Sequence, residues 1–224
     1  IAIDGAGCRR IVHRAVGARR IRVTITGPGG HSWGDPGVAN PIHALTAAIA
    51  EIGRIPLPAE PRATLAATRI GGGTGINVLP TEAWAELDLR SEDGPTLLAL
   101  EAAVCEHVRA ATARANASRR PGTPPLTAEI RLIGDRPTGA TPPGSPLCRA
   151  ARAATRAVGE RPELAASSTD ANIPIALGIP AIALGAGGRA GGLHTLHEWY
   201  SNERGVEGLE RILLTALAAA GIEG

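Results

Sequence analysis

The sequence predicts an α/β protein built around a ferredoxin-like βαββαβ module, and the order of its hydrophobic patterns carries this prediction. Between residues 19 and 137 the patterns run strand, helix, strand, strand, helix, strand. A Pro- and Gly-rich stretch at residues 138–146 then indicates a domain boundary. We therefore expect a first segment at residues 1–18, the module at 19–137, and a second α/β segment at 138–224.

Each element of the module follows from local spacing. Asn40 before Pro41 is typical of a helix start, and a second helix carries apolar residues at helical spacing from Leu97 to Val108. A module of this kind leaves edge strands that need to be covered, so we expect a homodimer. Alternation of apolar and polar residues predicts four strands, at residues 21–26, 63–70, 83–90 and 126–132.

The segment after the boundary contains too few elements for a whole α/β domain. A helix begins at Ser145-Pro146, and a short helix at residues 171–177 leads to a continuously apolar strand at 181–184. A glycine-rich loop follows this strand, and then a last helix. We expect that helix to turn its apolar side toward a core; the residues of this side are Val206, Leu209, Leu213, Ala216 and Leu217.

Composition excludes several classes of protein. With 44% apolar and 20% charged residues, and no apolar run near the roughly 20 residues of a membrane span, the chain is expected to be soluble and to have no membrane partner. The net charge of +2 does not indicate a nucleic-acid partner. The three cysteines are odd in number and widely spaced, which favours reduced thiols in the cytoplasm. The absence of Met leads us to interpret the chain as a fragment.

A glycine-rich turn at residues 26–37, TGPGGHSWGDPG, presents a single histidine. Such a turn brings bare backbone close to a ligand, and His31 is its only side chain that changes charge near neutral pH. We therefore predict that His31 contacts a substrate.

Two further residues are candidates for a metal or for proton transfer. Asp4 follows a short apolar strand, where it either serves a site or simply starts a turn before Gly5. His194 follows the glycine-rich loop, where it is a metal ligand, a general acid or base, or a structural histidine. A joint metal pair of His194 with His197 is the weaker alternative.

Arg90 and Asn77 also allow two interpretations each. Arg90 lies at a strand end and can bind a substrate carboxylate, or it can pair with Glu86 and Asp88 on the same strand. Asn77 lies in a second glycine-rich loop and can donate to a carbonyl, or it can occupy a turn position.

Five strings together resemble one enzyme family. They are GPGGHSWGDPG, GGGTGINVLP, DLR, SSTDANIPIALGIPAIALG and GGLHTLHEWY. The resemblance covers essentially all of the chain and keeps the order of the motifs. They are similar to the dinuclear zinc peptidases that include peptidase T, acetylornithine deacetylase, succinyl-diaminopimelate desuccinylase and the glutamate carboxypeptidases. The resemblance implies an α/β catalytic domain interrupted by a ferredoxin-like lid that forms the homodimer, here with the catalytic domain incomplete.

The resemblance also implies an activity and its cofactors. It implies hydrolysis of an amide bond, in a small peptide or an N-acyl amino acid, by water activated between two zinc ions; Co or Mn is accepted by similar ligands. Asp4 would be a carboxylate ligand of one metal and His194 the last ligand, on the other. Asp170 and Glu198 would have supporting roles, since such carboxylates often orient a ligand histidine.

The lid residues receive substrate roles from the same resemblance. His31 would reach the partner's site across the dimer and stabilise the oxyanion that forms as water attacks the amide carbonyl. Asn77 would orient the amide, and Arg90 the substrate carboxylate.

Departures from the family pattern limit the expectation. The sequence contains neither H-x-D nor Glu-Glu, which supply the remaining ligands and the general base, so we expect weak metal binding and no turnover. Asn172 stands where some members have an Arg, which leaves that carboxylate contact open. The alternative function is a non-catalytic dimerisation or interaction fragment. An RNA-binding module is less favoured, because such modules stack bases on exposed sheet aromatics and the chain has no Phe, one Tyr and three Trp.

Overall fold

The computed structural model describes residues 1–221. The strands are β1 (Ala2–Ile3), β2 (Arg10–Ala15), β3 (Gly17–Thr26), β4 (Gly30–His31), β5 (Ala63–Gly72), β6 (Val78–Leu79), β7 (Glu82–Ser91), β8 (Thr127–Arg136), β9 (Gly139–Ala140), β10 (Glu163–Ser167), β11 (Ala183–Leu184), β12 (Arg189–Gly191) and β13 (Trp199–Ser201). The helices are α1 (Pro41–Ile52), α2 (Gly94–Ala117), α3 (Pro146–Ala157), α4 (Asn172–Ala176) and α5 (Gly205–Ala220).

The chain divides into two compact units. Residues 18–135 form one, which we call the lid unit. Residues 1–17 and the described residues from 136 onwards form the other, which we call the base unit. Among the helices of the described chain, none is both long and apolar enough to cross a membrane.

The lid unit has the predicted ferredoxin-like fold. Its sheet has the strand order β5-β7-β3-β8, so that the third strand of the module lies between the first and the second. Strands β5 and β7 pair antiparallel from Ala63 opposite Ser91 to Gly72 opposite Ala83. The inward residues of β3 and β7 alternate as predicted and pack against α1 and α2; those fully buried are Ile21, Val23, Ile25, Ala83, Ala85, Leu87 and Leu89.

Capping side chains start both lid helices. The Ile42 N–H donates to Asn40 Oδ1 at 2.8 Å, which confirms the predicted start of α1. The Thr96 N–H donates to Asp93 Oδ2 at 2.8 Å and starts α2. Hydrogen bonds from the Thr96 hydroxyl and N–H favour the ionised carboxylate and lower the pKa of Asp93.

The open face of the lid sheet is charged. The Glu86 carboxylate lies 2.8 Å from Arg22 Nη1 and 2.9 Å from Arg69 Nη1. The two guanidinium groups lie 4.1 Å and 5.5 Å from the centre of the Trp84 ring. This face is therefore a cross-strand network of paired charges rather than an apolar surface.

The base unit contains a mixed five-stranded sheet in the order β1-β11-β2-β10, with β9 also paired to β2. β1 runs parallel to β11, and β11 runs antiparallel to β2. Helices α3 and α5 pack against one another. A small core of Ile11, Cys148, Ala151, Ile182 and Leu184 lies between this sheet and the helices.

The prediction for the last helix was wrong. The residues expected to face a core are all exposed in α5, Val206 by 77% and Leu209 by 65%. The buried side instead contains Gly208 and Arg211. A Cβ at Gly208 would lie 2.2 Å from the Ala186 carbonyl oxygen, so only glycine permits this approach.

Arg211 is fully buried, and two of its three guanidinium nitrogens have hydrogen-bond partners, whereas Nη1 is buried without one among the described residues. Its Nε donates to Thr155 Oγ1 at 2.9 Å and its Nη2 to the Arg10 carbonyl at 2.7 Å. Burial lowers the pKa of Arg211. These contacts hold the polar side of α5 inward, and the apolar side consequently lies on the surface of the described chain.

Candidate functional site

The two glycine-rich loops of the lid unit lie side by side. Strands β4 and β6 pair antiparallel, with His31 opposite Val78. The Ser32 N–H donates to the Asn77 carbonyl oxygen at 3.0 Å and extends this ladder. The structure therefore brings two predicted site residues, His31 and Asn77, to one exposed edge of the lid.

The protein fixes the orientation of the His31 ring. The N–H groups of Trp33 and Gly34 lie 3.1 Å and 3.3 Å from Nδ1, which accepts from them. In the neutral ring the proton is then on Nε2, because Nδ1 uses its lone pair as an acceptor. His31 is exposed, so Nε2–H is available as a hydrogen-bond donor to a ligand.

The backbone of this turn depends on Asp35 and Gly30. The His31 N–H donates to Asp35 Oδ2 at 2.8 Å. Gly30 has φ 143°, and a Cβ there would lie 2.9 Å from the same carboxylate oxygen. The glycine therefore leaves the carboxylate free to accept from His31. Trp33 and Ile76 are exposed apolar side chains on the two loops, and they give the edge an amphipathic contact surface.

Arg90 does not join His31 and Asn77. Arg90 lies near the carboxyl end of β7. The His31 loop lies at the other end of this strand, where the Gly27 N–H donates to the carbonyl oxygen of Thr81, the residue before β7. At about 3.3 Å per residue, Arg90 is about 30 Å along the strand from Thr81. Its Nε donates to Asp88 Oδ2 at 2.7 Å, the pairing that the sequence left open as the alternative.

His194 lies in the loop of the β12–β13 hairpin of the base unit. It has φ 61°, a left-handed conformation that is uncommon for a residue other than glycine. Its N–H donates to Glu198 Oε2 at 3.0 Å, so Glu198 positions the backbone of His194. His197 lies in the same loop, with its N–H donated to Thr195 Oγ1 at 3.1 Å, and both histidines are exposed.

Asp4 and Asp170 are exposed residues of the base unit. Asp4 directly follows β1, and its N–H donates to the Leu184 carbonyl oxygen at 2.9 Å. One carboxylate oxygen of Asp170 lies 3.5 Å from Arg136 Nη2. Asn172, two residues on, is buried and donates to backbone carbonyls, so its side chain is not presented to a ligand.

A complete metal centre is not assembled by residues 1–221: no group of three or more His, Cys, Asp or Glu side chains is in position to hold an ion. The predicted ligands Asp4 and His194 do not meet that requirement with a third residue. A zinc ion in a protein commonly has four ligands, or three and a water. The described residues do not fit a metal site by themselves, and we assign no reaction step to a metal here.

Comparison with known proteins identifies the lid. Residues 14–116 match a family model described as "Peptidase dimerisation domain". This part of the chain is similar to peptidase dimerisation domains. The match begins at the end of β2 and stops within α2, so it covers most of the lid unit. The match confirms the predicted resemblance for this part of the chain, and the solved structures below show a shared fold. No curated protein matches the sequence.

Solved structures share the fold over nearly the whole chain. An amidase of the hydantoinase/carbamoylase family from Burkholderia vietnamiensis has a TM-score of 0.77 at 21% identity, covering 96% of this chain and 51% of that one. Aminopeptidase PepT from Bacillus cereus ATCC 10987 has a TM-score of 0.73 at 22% identity, covering 98% and 57%. A tripeptidase from Staphylococcus aureus has a TM-score of 0.73 at 19% identity, covering 98% and 57%. The chain thus spans about half the length of these neighbours.

Proposed function

We propose that this chain is a portion of a metal-dependent hydrolase that cleaves an amide bond of a small peptide or an N-acyl amino acid. The observation that carries the proposal is a unit similar to peptidase dimerisation domains that presents the His31 ring with Nε2 directed outward. The fold neighbours, named as peptidases and amidases, support the reaction class. The three free cysteines support a cytoplasmic location.

His31 and Asn77 supply hydrogen-bond donors in this proposal. When water attacks an amide carbonyl, negative charge develops on the carbonyl oxygen. A donor that is held in place before the reaction stabilises this charge without reorganisation. Nε2–H of His31 has this property because the N–H groups of Trp33 and Gly34 hold the ring. Asn77 lies on the paired loop, where its backbone carbonyl accepts from the Ser32 N–H, and its side-chain amide would supply the second donor.

We propose further that His31 serves the active site of the partner subunit. Arg90 cannot bind the same substrate as His31 and Asn77 of its own chain, since about 30 Å of strand separates the two ends of β7. Binding of a substrate carboxylate by Arg90 is a separate proposal. It requires Arg90 to give up its hydrogen bond to Asp88 and to bind the substrate carboxylate in its place.

The base unit would contribute ligands and their support. We propose that Asp4 and His194 bind zinc, or Co or Mn, in the complete enzyme. Glu198 would hold the His194 backbone, as it does in this structure, and Asp170 would support the site from its ion pair with Arg136. The exposed apolar side of α5 supports the idea that further polypeptide completes this unit, because apolar helix faces are stabilised by burial.

The dimer would form along the edge of the lid sheet at β5. The sheet has two edges, β5 and β8. β8 carries Glu129, Arg131 and Asp135, and charged side chains on an edge oppose pairing with another chain. The stretch of β5 from Ala63 to Thr68 carries no charge. The open face is excluded as the interface because its charges are already paired.

Sedimentation of lid variants tests this dimer. Ala66→Lys places a charge on the uncharged edge, and we expect it to weaken the dimer at least about tenfold. Leu132→Lys makes the same change on β8, where Leu132 is 40% exposed, and should leave the dimer unchanged. Equal weakening by both variants, or by neither, would place the interface elsewhere.

The alternative function is a non-catalytic dimerisation module. It is favoured by the incomplete metal set among residues 1–221. Titration of the chain with zinc, together with assays on N-acyl amino acids and dipeptides, distinguishes the two.

We expect at most weak zinc binding and no turnover by the chain alone, and metal-dependent hydrolysis by the protein expressed from its complete reading frame. Robust hydrolysis by the chain alone would contradict the first expectation. Absence of hydrolysis by the complete product would instead favour the non-catalytic module.

A further inference from the structure

The chain passes twice between its two units, and the base unit holds both connections side by side. β9 pairs antiparallel with the end of β2, so the outgoing and returning strands lie next to each other. The ladder cannot continue beyond this pair through Pro137, because proline has no N–H to donate. The carbonyl oxygens of Val16 and Pro137 consequently need donors from elsewhere.

One side chain supplies both donors. The Asn172 Nδ2 group lies 2.8 Å from the Val16 carbonyl oxygen and 3.0 Å from that of Pro137. Its Oδ1 accepts from the Thr169 N–H at 2.9 Å. Asn172 is 1% exposed. Since a primary amide has two N–H donors, both are used, and they join the two connections to each other.

The same amide joins the connections to the loop that carries Asp170. The Val16 N–H donates to the Ser167 carbonyl at 3.0 Å, so residues 167–172 contact the outgoing strand at both ends. The ion pair of Arg136 with Asp170 is a second link between this loop and the returning connection. The Asp170 side chain is 90% exposed, and exposed ion pairs contribute little to stability. Asn172 therefore makes the main contacts between the two connections and this loop.

Other uses of Asn172 are less consistent with its contacts. It is the first residue of α4, yet the helix begins without a side-chain cap. A buried amide is costly unless its polar atoms are bonded, so its position requires the three backbone partners. Those partners belong to three separate stretches of chain, which a purely local turn would not need.

We propose that Asn172 is a positioning residue that clamps the two inter-unit connections together and couples them to the Asp170 loop. The three segments then move as one body. A displacement of the loop is transmitted to both connections, and the reverse follows from the reciprocity of coupling. The proposal depends on the contacts of the base unit and not on the reaction assigned above.

Hydrogen exchange in the full chain tests the clamp. Asn172→Asp keeps the shape of the side chain, removes both donors and brings a carboxylate against two carbonyl oxygens. We expect exchange of the Val16 and Thr141 amides, which donate to Ser167 and His13, to become about tenfold faster or more. Exchange in β11 and in helix α2 should be unchanged.

Asn116→Asp is the matched control. Asn116 Nδ2 donates to the Leu126 carbonyl at 3.0 Å within the lid unit, so this variant loses a comparable bond without touching the connections. It should accelerate exchange near Leu126 and leave Val16 and Thr141 unchanged. If Asn172→Asp does not fold, Asn172→Ala removes the donors without adding charge.

Two outcomes would overturn the clamp. One is unchanged exchange at Val16 and Thr141 in a folded Asn172 variant. The other is loss of protection across the whole base unit, β11 included, in both Asn172→Asp and Asn172→Ala. That result would show that Asn172 stabilises the unit as a whole and does not act on the connections in particular.

Discussion

His31 and His194 each lie in an exposed loop of this protein. The backbone N–H of each histidine makes the same kind of hydrogen bond, but the hydrogen bonds to the two rings differ. In each, the histidine N–H donates to the carboxylate of the residue four positions later, Asp35 for His31 and Glu198 for His194. The His31 ring also accepts from two backbone N–H groups. For His194, by contrast, the described residues provide a backbone anchor and no hydrogen bond to the ring.

The two loops are consequently suited to different tasks. A hydrogen-bond donor for a developing charge has to be aimed in advance, and the His31 ring is. A metal-binding histidine is oriented by a partner on its other nitrogen, which for His194 would have to come with the rest of a metal site. His194 also has a strained backbone, with φ 61°, and such strain is concentrated at functional sites.

The largest expected effect comes from mixing the two loop variants in the complete enzyme. His31→Ala should lower kcat about 10²-fold or more and keep the metal content, because it removes an oxyanion donor. His194→Ala should lose metal and activity. If His31 acts in the partner's site, each heterodimer of the two variants contains one site with both histidines and one site with neither. Mixing should then restore activity, and each heterodimer should have about the activity of one wild-type site.

His43→Ala is the control for this experiment, since His43 is an exposed histidine of α1 in the same unit. It should leave kcat unchanged. No recovery on mixing, with exchange of subunits verified, would show that His31 acts within its own chain. Loss of metal in His31→Ala would show that its role is that of a ligand.

An intermediate effect is expected from Gly30→Ala. The new Cβ would meet the Asp35 carboxylate at 2.9 Å in a backbone with φ 143°. We expect a loss of about 1–3 kcal/mol in the free energy of unfolding, measured by urea denaturation.

Gly122→Ala is the comparison for that variant. Gly122 has φ 80° in the same unit, and a Cβ added there would meet nothing within 4 Å, so only backbone strain should appear. A smaller loss in Gly30→Ala than in Gly122→Ala would contradict the role given to the contact with Asp35.

The smallest expected effect is opposite in sign for the two histidines. His194→Gly relieves a left-handed backbone and should stabilise the hairpin by about 0.5–1 kcal/mol, reduced by the flexibility that glycine adds to the unfolded chain. His31→Gly loses the acceptor for two N–H groups and should destabilise its turn by about 1 kcal/mol. Hydrogen exchange of the two turns measures both changes in stability. A change of the same sign in both turns would contradict the difference proposed between the two histidines.

The lid could be predicted in detail because its sequence pattern and its packing agree. Alternation in β3 and β7 places Ile21, Val23 and Leu87 on the inner face, and the helices that cover that face belong to the same unit. The start of α1 was equally predictable, since Asn40 caps the helix through a contact within a few residues.

The last helix shows where such pattern reasoning fails. Its apolar spacing predicts a buried face, but spacing does not say which surface is available to cover it. In the base unit, the close approach of Gly208 and the bonds of Arg211 decide the orientation of α5, and both depend on segments distant in the sequence. The role of Asn172 was missed for the same reason, because its partners Val16 and Pro137 come from elsewhere in the chain.

The residue pattern was enough to predict the ferredoxin-like lid, the resemblance of the lid to a peptidase dimerisation domain, and the positions of His31 and Asn77 in two glycine-rich turns. These are consequences of local spacing and short-range turn chemistry. Folding was needed to show that the two turns pair, and that Arg90 lies at the other end of β7 from them. The pairing joins segments about 47 residues apart through hydrogen bonds that no local pattern encodes. The contacts of the His31 ring and of Arg90 with Asp88 are local, and the structure decided between alternatives that the sequence had left open.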